Sequence, residues 1–365
     1  MPTYEEQIAD LEREINKTQY NKATQHHVGL VKAKIAHLRE KMEARAKASG
    51  GPGDGFQVRK TGDGTVILIG FPSTGKSTIL NILCGTESEV AAYAFTTLTV
   101  IPGMLNYRHA KIQVLDVPGV MRGASTGRGR GKEVLAVMRN ADLCMFIVDV
   151  LRPQEIAVIR SEAENVGIRF NTRRPDVRIK KTARGGIKVA KTCKLTQLDD
   201  ETVKAVLKEF RINSADVVIR QDITVEDLID CIEDNRKYMP AISVFNKTDL
   251  VTQEQLGAIQ RKYHPDICIS AQRKEHIDEL RVLIYDRLDL MSVYLKEPGK
   301  EADMEVPLIM FRSGTIRALC EKLHKDFISK FKFARVWGRS AKFGGQKLML
   351  SHKLKDSDVV EIHLK

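Results

Sequence analysis

Residues 65–78 combine an apolar run with residue types that bind phosphate. Val66–Ile69 is followed by Gly70, four residues, and then Gly75, Lys76 and Ser77. Glycines let backbone N–H groups approach a phosphate, and a helix starting near Gly75 directs its positive end to the same point. The ammonium of Lys76 can reach the β- and γ-phosphates of a nucleotide, and the Ser77 hydroxyl can ligate Mg²⁺. The predicted phosphate-binding residues are Gly70, Phe71, Pro72, Ser73, Thr74, Gly75, Lys76, Ser77 and Thr78.

Two later segments favour guanine as the base. The first, Asn246, Lys247, Thr248 and Asp249, follows the apolar run 241–245, so it lies at the end of a predicted strand. A carboxylate at Asp249 can accept hydrogen bonds from N1–H and the exocyclic amine of guanine, and adenine offers no matching pair of donors. Lys247 is expected along the base, and Asn246 is expected to tie this loop to the phosphate loop. The second segment, Ser270, Ala271 and Gln272, suits a loop that donates a backbone N–H to the guanine oxygen.

A third group of residues lies between these motifs and predicts a metal and γ-phosphate site. Asp116, Val117, Pro118 and Gly119 follow the run 112–115. Asp116 fits the acidic residue that holds Mg²⁺ through water, and Gly119 fits the N–H donor to the γ-phosphate. Phe95, Thr96 and Thr97 precede this strand, and Thr97 is the chosen third metal-binding residue beside Ser77 and Asp116. The predicted catalytic residues are Lys76, Thr97 and Gly119.

The chain resembles the Obg superfamily of GTPases and, within it, the developmentally regulated GTP-binding protein (DRG) family. The resemblance rests on the segment 93–98, which reads Tyr-Ala-Phe-Thr-Thr-Leu, and on the glycine- and arginine-rich loop 123–131. It covers essentially the whole chain. It implies a P-loop GTPase with a doubly wound, mostly parallel α/β sheet, an N-terminal helical hairpin, an inserted α/β subdomain and a C-terminal β-grasp (TGS) domain. Arg122 departs from the pattern, because relatives usually carry an acidic residue there.

The resemblance also implies hydrolysis of GTP to GDP and phosphate with Mg²⁺, a role in translation with ribosome or RNA as partner, and, in a eukaryote, a stabilising protein of the DFRP type. Ras-like enzymes orient water with a glutamine where this chain has Val120. Slow intrinsic hydrolysis is therefore expected. Some relatives bind potassium (K⁺) partly through a P-loop asparagine, and the matching residue here is Ser73, so K⁺ dependence stays open. Arg122, Arg128 and Arg130 could supply an arginine in cis or belong to a flexible basic loop.

Length and composition indicate a multidomain protein with an anionic partner. The chain has 365 residues and a formal charge of +12, which favours RNA as the partner over a merely basic surface. No apolar run is long enough to span a bilayer, so no membrane association is expected. The six cysteines are scattered and form no metal-binding pair. We therefore expect reduced thiols and a cytoplasmic location. We also expect a monomer.

Periodicity divides the chain into three parts. Residues 1–50 predict two helices, residues 61–290 predict the GTPase domain, and residues 291–365 predict the β-grasp domain. Strands are expected at 66–69, 98–101, 112–115, 143–148, 241–245 and 267–269. The segment 150–240 is too long for one crossover, so an inserted basic subdomain is predicted at 167–238.

The inserted subdomain carries the steepest charge imbalance in the chain. Its predicted RNA-binding residues are Arg173, Arg174, Arg178, Lys180, Lys181, Arg184 and Lys188. Phe170 is the only aromatic residue between 169 and 194, so contacts to phosphate are favoured over base stacking. Two alternatives to a GTPase switch remain at this stage. One is a basic RNA-binding or scaffold protein with a structural nucleotide site, and the other is an ATP-dependent enzyme, which Asp249 disfavours.

Overall fold

The computed structural model describes residues 3–18, 24–48, 61–85, 101–117, 138–165, 167–234, 236–324 and 326–365. The helices are α1 (Tyr4–Lys17), α2 (Gln25–Ala48), α3 (Lys76–Cys84), α4 (Glu155–Asn165), α5 (Asp200–Glu209), α6 (Val225–Glu233), α7 (Gln253–Tyr263), α8 (Ile277–Arg287), α9 (Ile316–Leu323) and α10 (Asp326–Lys330). The strands are β1 (Gly64–Ile69), β2 (Ile101–Tyr107), β3 (Ala110–Asp116), β4 (Leu143–Asp149), β5 (Ile168–Phe170), β6 (Val177–Lys181), β7 (Ile187–Lys191), β8 (Ala215–Ile219), β9 (Lys237–Met239), β10 (Ala241–Asn246), β11 (Ile267–Cys268), β12 (Leu290–Leu295), β13 (Leu308–Phe311), β14 (Phe331–Trp337), β15 (Gln346–Leu348) and β16 (Val359–Leu364).

A six-stranded sheet in the order β11-β10-β4-β1-β3-β2 forms the centre of the nucleotide-binding fold. All neighbouring pairs are parallel except β2 with β3. Every residue of β1, β4 and β10 is buried, because apolar residues pack on both faces of the sheet. The predicted doubly wound, mostly parallel sheet is confirmed. The carboxyl ends of β1, β3, β4 and β10 therefore meet at one edge, where ligands of such sheets bind.

The edge strand β2 differs from its prediction. A strand was expected at 98–101, but the strand begins at Ile101 and continues to Tyr107, and residues 98–100 lie outside the described ranges. Pro102 and Gly103 would ordinarily argue against a strand, yet an edge strand tolerates proline. A Cβ on Gly103 would lie 2.6 Å from the Cys84 sulfur, so glycine allows α3 to approach the strand closely.

The chain divides into two compact units. One contains residues 1–55 with 172–238, and the other contains residues 56–171 with 239–365. In the first unit, α2 packs against α5 and α6, and Ala33 joins their apolar cluster. His26 and Thr202 form a hydrogen bond of 2.9 Å, and Lys32 forms an ion pair with Glu226. The predicted helical hairpin is thus packed on the inserted subdomain.

The inserted subdomain contains a three-stranded sheet in the order β6-β8-β7. Strand β8 is antiparallel to β6 and parallel to β7. Val177, Ile179, Ile187 and Val189 face the apolar cluster that α5 and α6 complete, and the alternate residues of β6 and β7 are exposed. One face of this sheet is therefore covered, and the other is open to solvent.

The C-terminal domain has a mixed five-stranded sheet in the order β13-β12-β16-β14-β15. Strands β12 and β16 are parallel, and the other neighbouring pairs are antiparallel. Ile316, Leu319 and Cys320 of α9 pack with Ala334 and Val336 in its core. The predicted β-grasp domain is confirmed. In the part of the chain described here, no helix has the length and apolar composition needed to cross a bilayer.

Candidate nucleotide-binding site

The phosphate loop, residues 70–76, joins the end of β1 to the start of α3. A Cβ on Gly70 would lie 2.3 Å from the Ile147 carbonyl oxygen, so only glycine fits where the loop passes β4. Gly75 has a φ of +90° and precedes α3 without offering a side-chain cap. The N–H groups at the start of α3 therefore remain available to a bound anion, and the helix dipole favours negative charge there. This geometry fits a phosphate cradle.

Lys76 extends its side chain over this loop. Its Nζ donates hydrogen bonds to the carbonyl oxygens of Gly70 at 3.0 Å and Phe71 at 2.9 Å. Burial lowers the pKa of the Lys76 ammonium from its ordinary value, and the negative charge of Asp116 partly opposes this shift. The ammonium is thus placed within the loop that would surround the phosphates.

Ser77 and Asp116 meet beside Lys76 and have the chemistry of a divalent metal site. The Ser77 hydroxyl donates to Asp116 Oδ2 at 2.7 Å, and the Asp116 side chain is buried, with 1% of its surface exposed. Asp116 Oδ1 is buried and has no hydrogen-bond partner among the described residues. Unsatisfied buried carboxylate oxygens are costly, and hard oxygen ligands are those that Mg²⁺ prefers. The residues present therefore fit Mg²⁺.

Asn246 connects the predicted base-binding loops to the phosphate loop. Its Nδ2 donates to the Thr74 carbonyl oxygen at 2.9 Å, and its Oδ1 accepts from the Ala271 N–H at 3.0 Å. Ser270 donates its hydroxyl to Asp249 Oδ1, which fixes the orientation of that carboxylate. The three segments predicted to bind one nucleotide thus lie within direct contact of each other. Thr248 and Gln272 lie in the same two loops, and Gln272 is exposed.

Asp149 is a residue that sequence reasoning missed. It ends β4 directly opposite Asn246 of β10, and only 2% of its surface is exposed. Its carboxylate accepts from Lys247 Nζ at 2.8 Å and from the Leu151 N–H at 2.9 Å. Lys247 has a φ of +69°, a left-handed backbone conformation that residues other than glycine adopt rarely. The only sequence signal was an aspartate at the end of an apolar run.

Replacing Asp149 with asparagine should weaken binding of GDP and GTP by the same factor, about tenfold. The change removes the negative charge that fixes the ammonium of Lys247, and a charge-assisted hydrogen bond contributes about 1.5–3 kcal/mol. The base is common to both nucleotides, so their affinity ratio should not change. Equilibrium titration with fluorescent GDP and GTP analogues measures both constants. Arg152→Ala is the matched control, because Arg152 lies 3.9 Å from Asp149 and forms its shorter ion pair, at 3.3 Å, with Glu155. A tenfold loss in the control, or a loss for GTP alone, would contradict this role.

Several predicted site residues lie outside the described ranges. These are Phe95, Thr96, Thr97, Pro118 and Gly119, together with Val120 and the arginine-rich loop 122–131. Val117 is described and buried. The remaining predicted phosphate-binding residues, Pro72, Ser73 and Thr78, are exposed. Thr78 lies in the first turn of α3, and Ser73 has a φ of +64°.

All seven predicted RNA-binding residues of the inserted subdomain are exposed. Arg178 and Lys180 alternate with inward-facing residues of β6, and Lys188 does the same on β7. In the register, Lys180 and Lys188 are both paired with Asp216 of the central strand. Arg174 forms an ion pair of 2.6 Å with Asp234. The open face of the three-stranded sheet therefore carries an excess of positive charge.

A mostly parallel sheet with these loops at its carboxyl edge defines the P-loop GTPase class. Comparison with family models agrees. Residues 65–181 match a model described as a 50S ribosome-binding GTPase, residues 184–290 match the C-terminal region of the MMR_HSR1 domain, and residues 291–364 match the TGS domain.

Relatives with similar sequences extend over almost the whole chain. A GTP-binding protein of Methanocaldococcus jannaschii is 49% identical over 99% of this chain and 93% of its own length. Developmentally-regulated GTP-binding protein 1 of Xenopus laevis is 45% identical over 97% of both chains. The chain therefore belongs to the developmentally regulated GTP-binding protein family of GTPases. Among solved structures, a GTP-binding protein from Pyrococcus horikoshii aligns with 82% of this chain and 100% of its own, at 14% identity and a TM-score of 0.42.

Proposed function

We propose that this protein hydrolyses GTP to GDP and phosphate and acts as a ribosome- or RNA-associated switch in translation. The observation that carries the proposal is the double hydrogen bonding of Asn246. This side chain holds the phosphate loop, through Thr74, against the loop of Ala271, so the two ends of one nucleotide would be bound by one rigid framework. A carboxylate at Asp249 then selects guanine, and an ammonium at Lys76 binds the phosphates.

The hydrolysis follows from charge stabilisation at the phosphate loop. The oxygen of a water molecule attacks the γ-phosphorus, the bond from that phosphorus to the β–γ bridging oxygen breaks, and the proton of water passes to phosphate or solvent. Negative charge develops on the transferring group and on the leaving oxygen. The N–H groups at the start of α3 and the Lys76 ammonium are oriented before the reaction, so they stabilise that charge without reorganising. Ser77 and Asp116 would hold Mg²⁺, which would supply further positive charge to stabilise the transferring group.

The RNA-associated role is supported by the open basic face of the inserted subdomain. Phosphate contacts from lysine and arginine release condensed counterions, so such binding weakens steeply with salt. The family match to a ribosome-binding GTPase supports the ribosome as the source of the RNA. The same proposal includes a cytoplasmic location and an affinity for the ribosome that differs between the GTP-bound and GDP-bound protein.

Pelleting with ribosomes in two nucleotide states tests the switch. Purified protein is mixed with ribosomes and either GDP or a non-hydrolysable GTP analogue, and the bound fraction is measured after sedimentation. The proposal expects tighter binding in one state. Equal binding would reject coupling between nucleotide and ribosome. Lys76→Ala should abolish the difference between the two states, whereas a scaffold protein with a structural nucleotide site would bind ribosomes equally with and without this substitution.

Lys180→Ala combined with Lys188→Ala should weaken binding to ribosomal RNA and reduce its salt dependence. Each lost phosphate contact lowers the slope of log affinity against log salt by about 0.7–0.9, so the double variant should lose about 1.5. Binding is measured by titration at several salt concentrations. Lys204→Ala combined with Lys208→Ala is the matched control, because these exposed lysines lie on α5 in the same unit. An unchanged slope in the first variant, or an equal change in both, would remove the open face from the interface.

A further inference from the structure

The C-terminal sheet has a second face that the domain core does not use. Along β14, Ala334 and Val336 are fully buried in the core, whereas Phe333, Arg335 and Trp337 are half-buried on the opposite face. Strand β16 continues that face, because the register pairs Phe333 with His363 and Arg335 with Glu361. This surface, centred on these five β14 and β16 residues, is called the outer β-grasp face.

Aromatic rings and cations alternate on the outer β-grasp face. The rings of Phe333 and His363 are stacked with centroids 4.4 Å apart, and Lys347 Nζ of β15 lies 4.9 Å from the centroid of Phe333. Lys296, which directly follows β12, places its Nζ 4.5 Å from the centroid of the Trp337 ring. Such cation–ring pairs hold the rings in fixed orientations.

The charge balance of the outer β-grasp face is positive. Its carboxylate, Glu361, is 3% exposed and is surrounded by Lys296 at 3.7 Å, Arg335 at 3.7 Å and His363 at 2.6 Å. One buried negative charge is thus shared among more than one positive group. The excess positive charge is available to an anionic ligand.

The loop from β14 to β15 adds an aromatic side chain that is open to solvent. Phe343 is 66% exposed. The next residue, Gly344, approaches Trp337 so closely that a Cβ would lie 3.0 Å from its ring. Phe343 is therefore held beside the outer β-grasp face. Arg339 and Lys342 of the same loop are also exposed.

We propose that the outer β-grasp face and Phe343 bind an unpaired RNA strand through its bases. Single-stranded nucleic acids are bound by flat sheets that combine aromatic rings for stacking with cations for the backbone. The basic face of the inserted subdomain lacks exposed aromatic residues on its strands, so it offers contacts to phosphate only. The two basic surfaces therefore differ in chemistry, and the outer β-grasp face reads unstacked bases. This inference does not depend on GTP hydrolysis.

The single tryptophan of the chain, Trp337, reports directly on this surface. The full-length protein is titrated with an unstructured single-stranded oligouridylate of about 12 nucleotides, a length within the usual site size of such surfaces. A saturable change in tryptophan fluorescence is expected. A duplex RNA of the same length should give a change at least tenfold weaker, because its bases are already stacked and paired. No change with the single strand, or an equal change with the duplex, would overturn the proposal.

Phe343→Ala should lower the affinity for the single strand about tenfold, the effect typical of losing one stacked base. Met304→Ala is the matched control. Met304 is also an exposed apolar residue of this domain, but it lies in the loop between β12 and β13. The control should keep wild-type affinity. Equal losses in both variants, or no loss for Phe343→Ala, would overturn the role of the aromatic ring. GDP binding is measured separately on the wild-type protein, so failure here and failure of the proposed GTPase function are distinguishable.

Discussion

Asp249→Asn should reduce the affinity for GDP by about 10²–10⁴-fold and raise the affinity for xanthosine diphosphate. In the proposed site the carboxylate accepts two hydrogen bonds from the guanine edge, and each charge-assisted bond is worth about 1.5–3 kcal/mol. An asparagine keeps one acceptor and replaces the other with an N–H donor, which faces the exocyclic amine of guanine. Xanthine carries an oxygen at that place, so it matches the new donor. Ser270 can still donate to the remaining side-chain oxygen, so the loop should keep its shape.

The measurement is competitive displacement of a fluorescent guanine nucleotide by GDP, xanthosine diphosphate and ADP. Glu254→Gln is the matched control, because it makes the same loss of charge at an exposed site in the first turn of α7. The control should leave all three affinities within a factor of about two, as is usual for exposed surface substitutions. Unchanged GDP affinity in Asp249→Asn would place the base elsewhere. A preference of the wild-type protein for ADP would reject guanine recognition altogether.

Most of the central sheet could be predicted from the sequence, because β1, β3, β10 and β11 are short and apolar and each is followed by a motif. The run before Gly70 and the run before Asn246 both proved to be buried strands. Chain connectivity then places their ends at one edge of a parallel sheet. The strand that begins at Ile101 was harder to predict. Pro102 and Gly103 are residue types typical of turns, although an edge strand accepts both.

Apart from the contact of Asn246 with the phosphate loop, which its motif predicts, contacts between distant segments could not be predicted. Asp149 contacts Lys247, which is 98 residues away, and no local pattern marks an aspartate at the end of β4 as the partner of that lysine. The packing of α2 on α5 and α6 could not be predicted for the same reason, because no local pattern marks the distant partner. Helix periodicity shows that Val31 and Ile35 belong to an apolar face, but it does not show which surface covers them. The outer β-grasp face could not be predicted either, because it depends on the cross-strand register that pairs Arg335 with Glu361.

Gly75→Ala should weaken nucleotide binding by displacing the Asn246 side chain from the phosphate loop. Gly75 has a φ of +90°, so alanine is strained there by about 1–2 kcal/mol. The added Cβ would also lie 2.4 Å from Asn246 Nδ2. Asn246 must then move away from the Thr74 carbonyl oxygen, and the phosphate loop would separate from the loop of Ala271. We expect the affinity for GDP and GTP to fall at least tenfold, since loss of a buried hydrogen bond contributes about 1–3 kcal/mol.

Gly85→Ala separates the two causes of this loss. Gly85 follows the end of α3 with a φ of +79°, yet a Cβ there would meet no atom within 4 Å. Its ψ of 176° places it in a conformation that is essentially restricted to glycine, so alanine is strained there at least as much as at position 75, without the contact to Asn246. Thermal unfolding should shift downward in both variants, whereas nucleotide affinity, measured by titration below the unfolding transition, should fall only in Gly75→Ala. Equal affinities in the two variants would mean that strain alone acts and that Asn246 does not couple the phosphate to the base. A loss confined to Gly75→Ala would instead show that the phosphate loop and the guanine loops bind as one unit, because the two substitutions differ in the contact with a single amide.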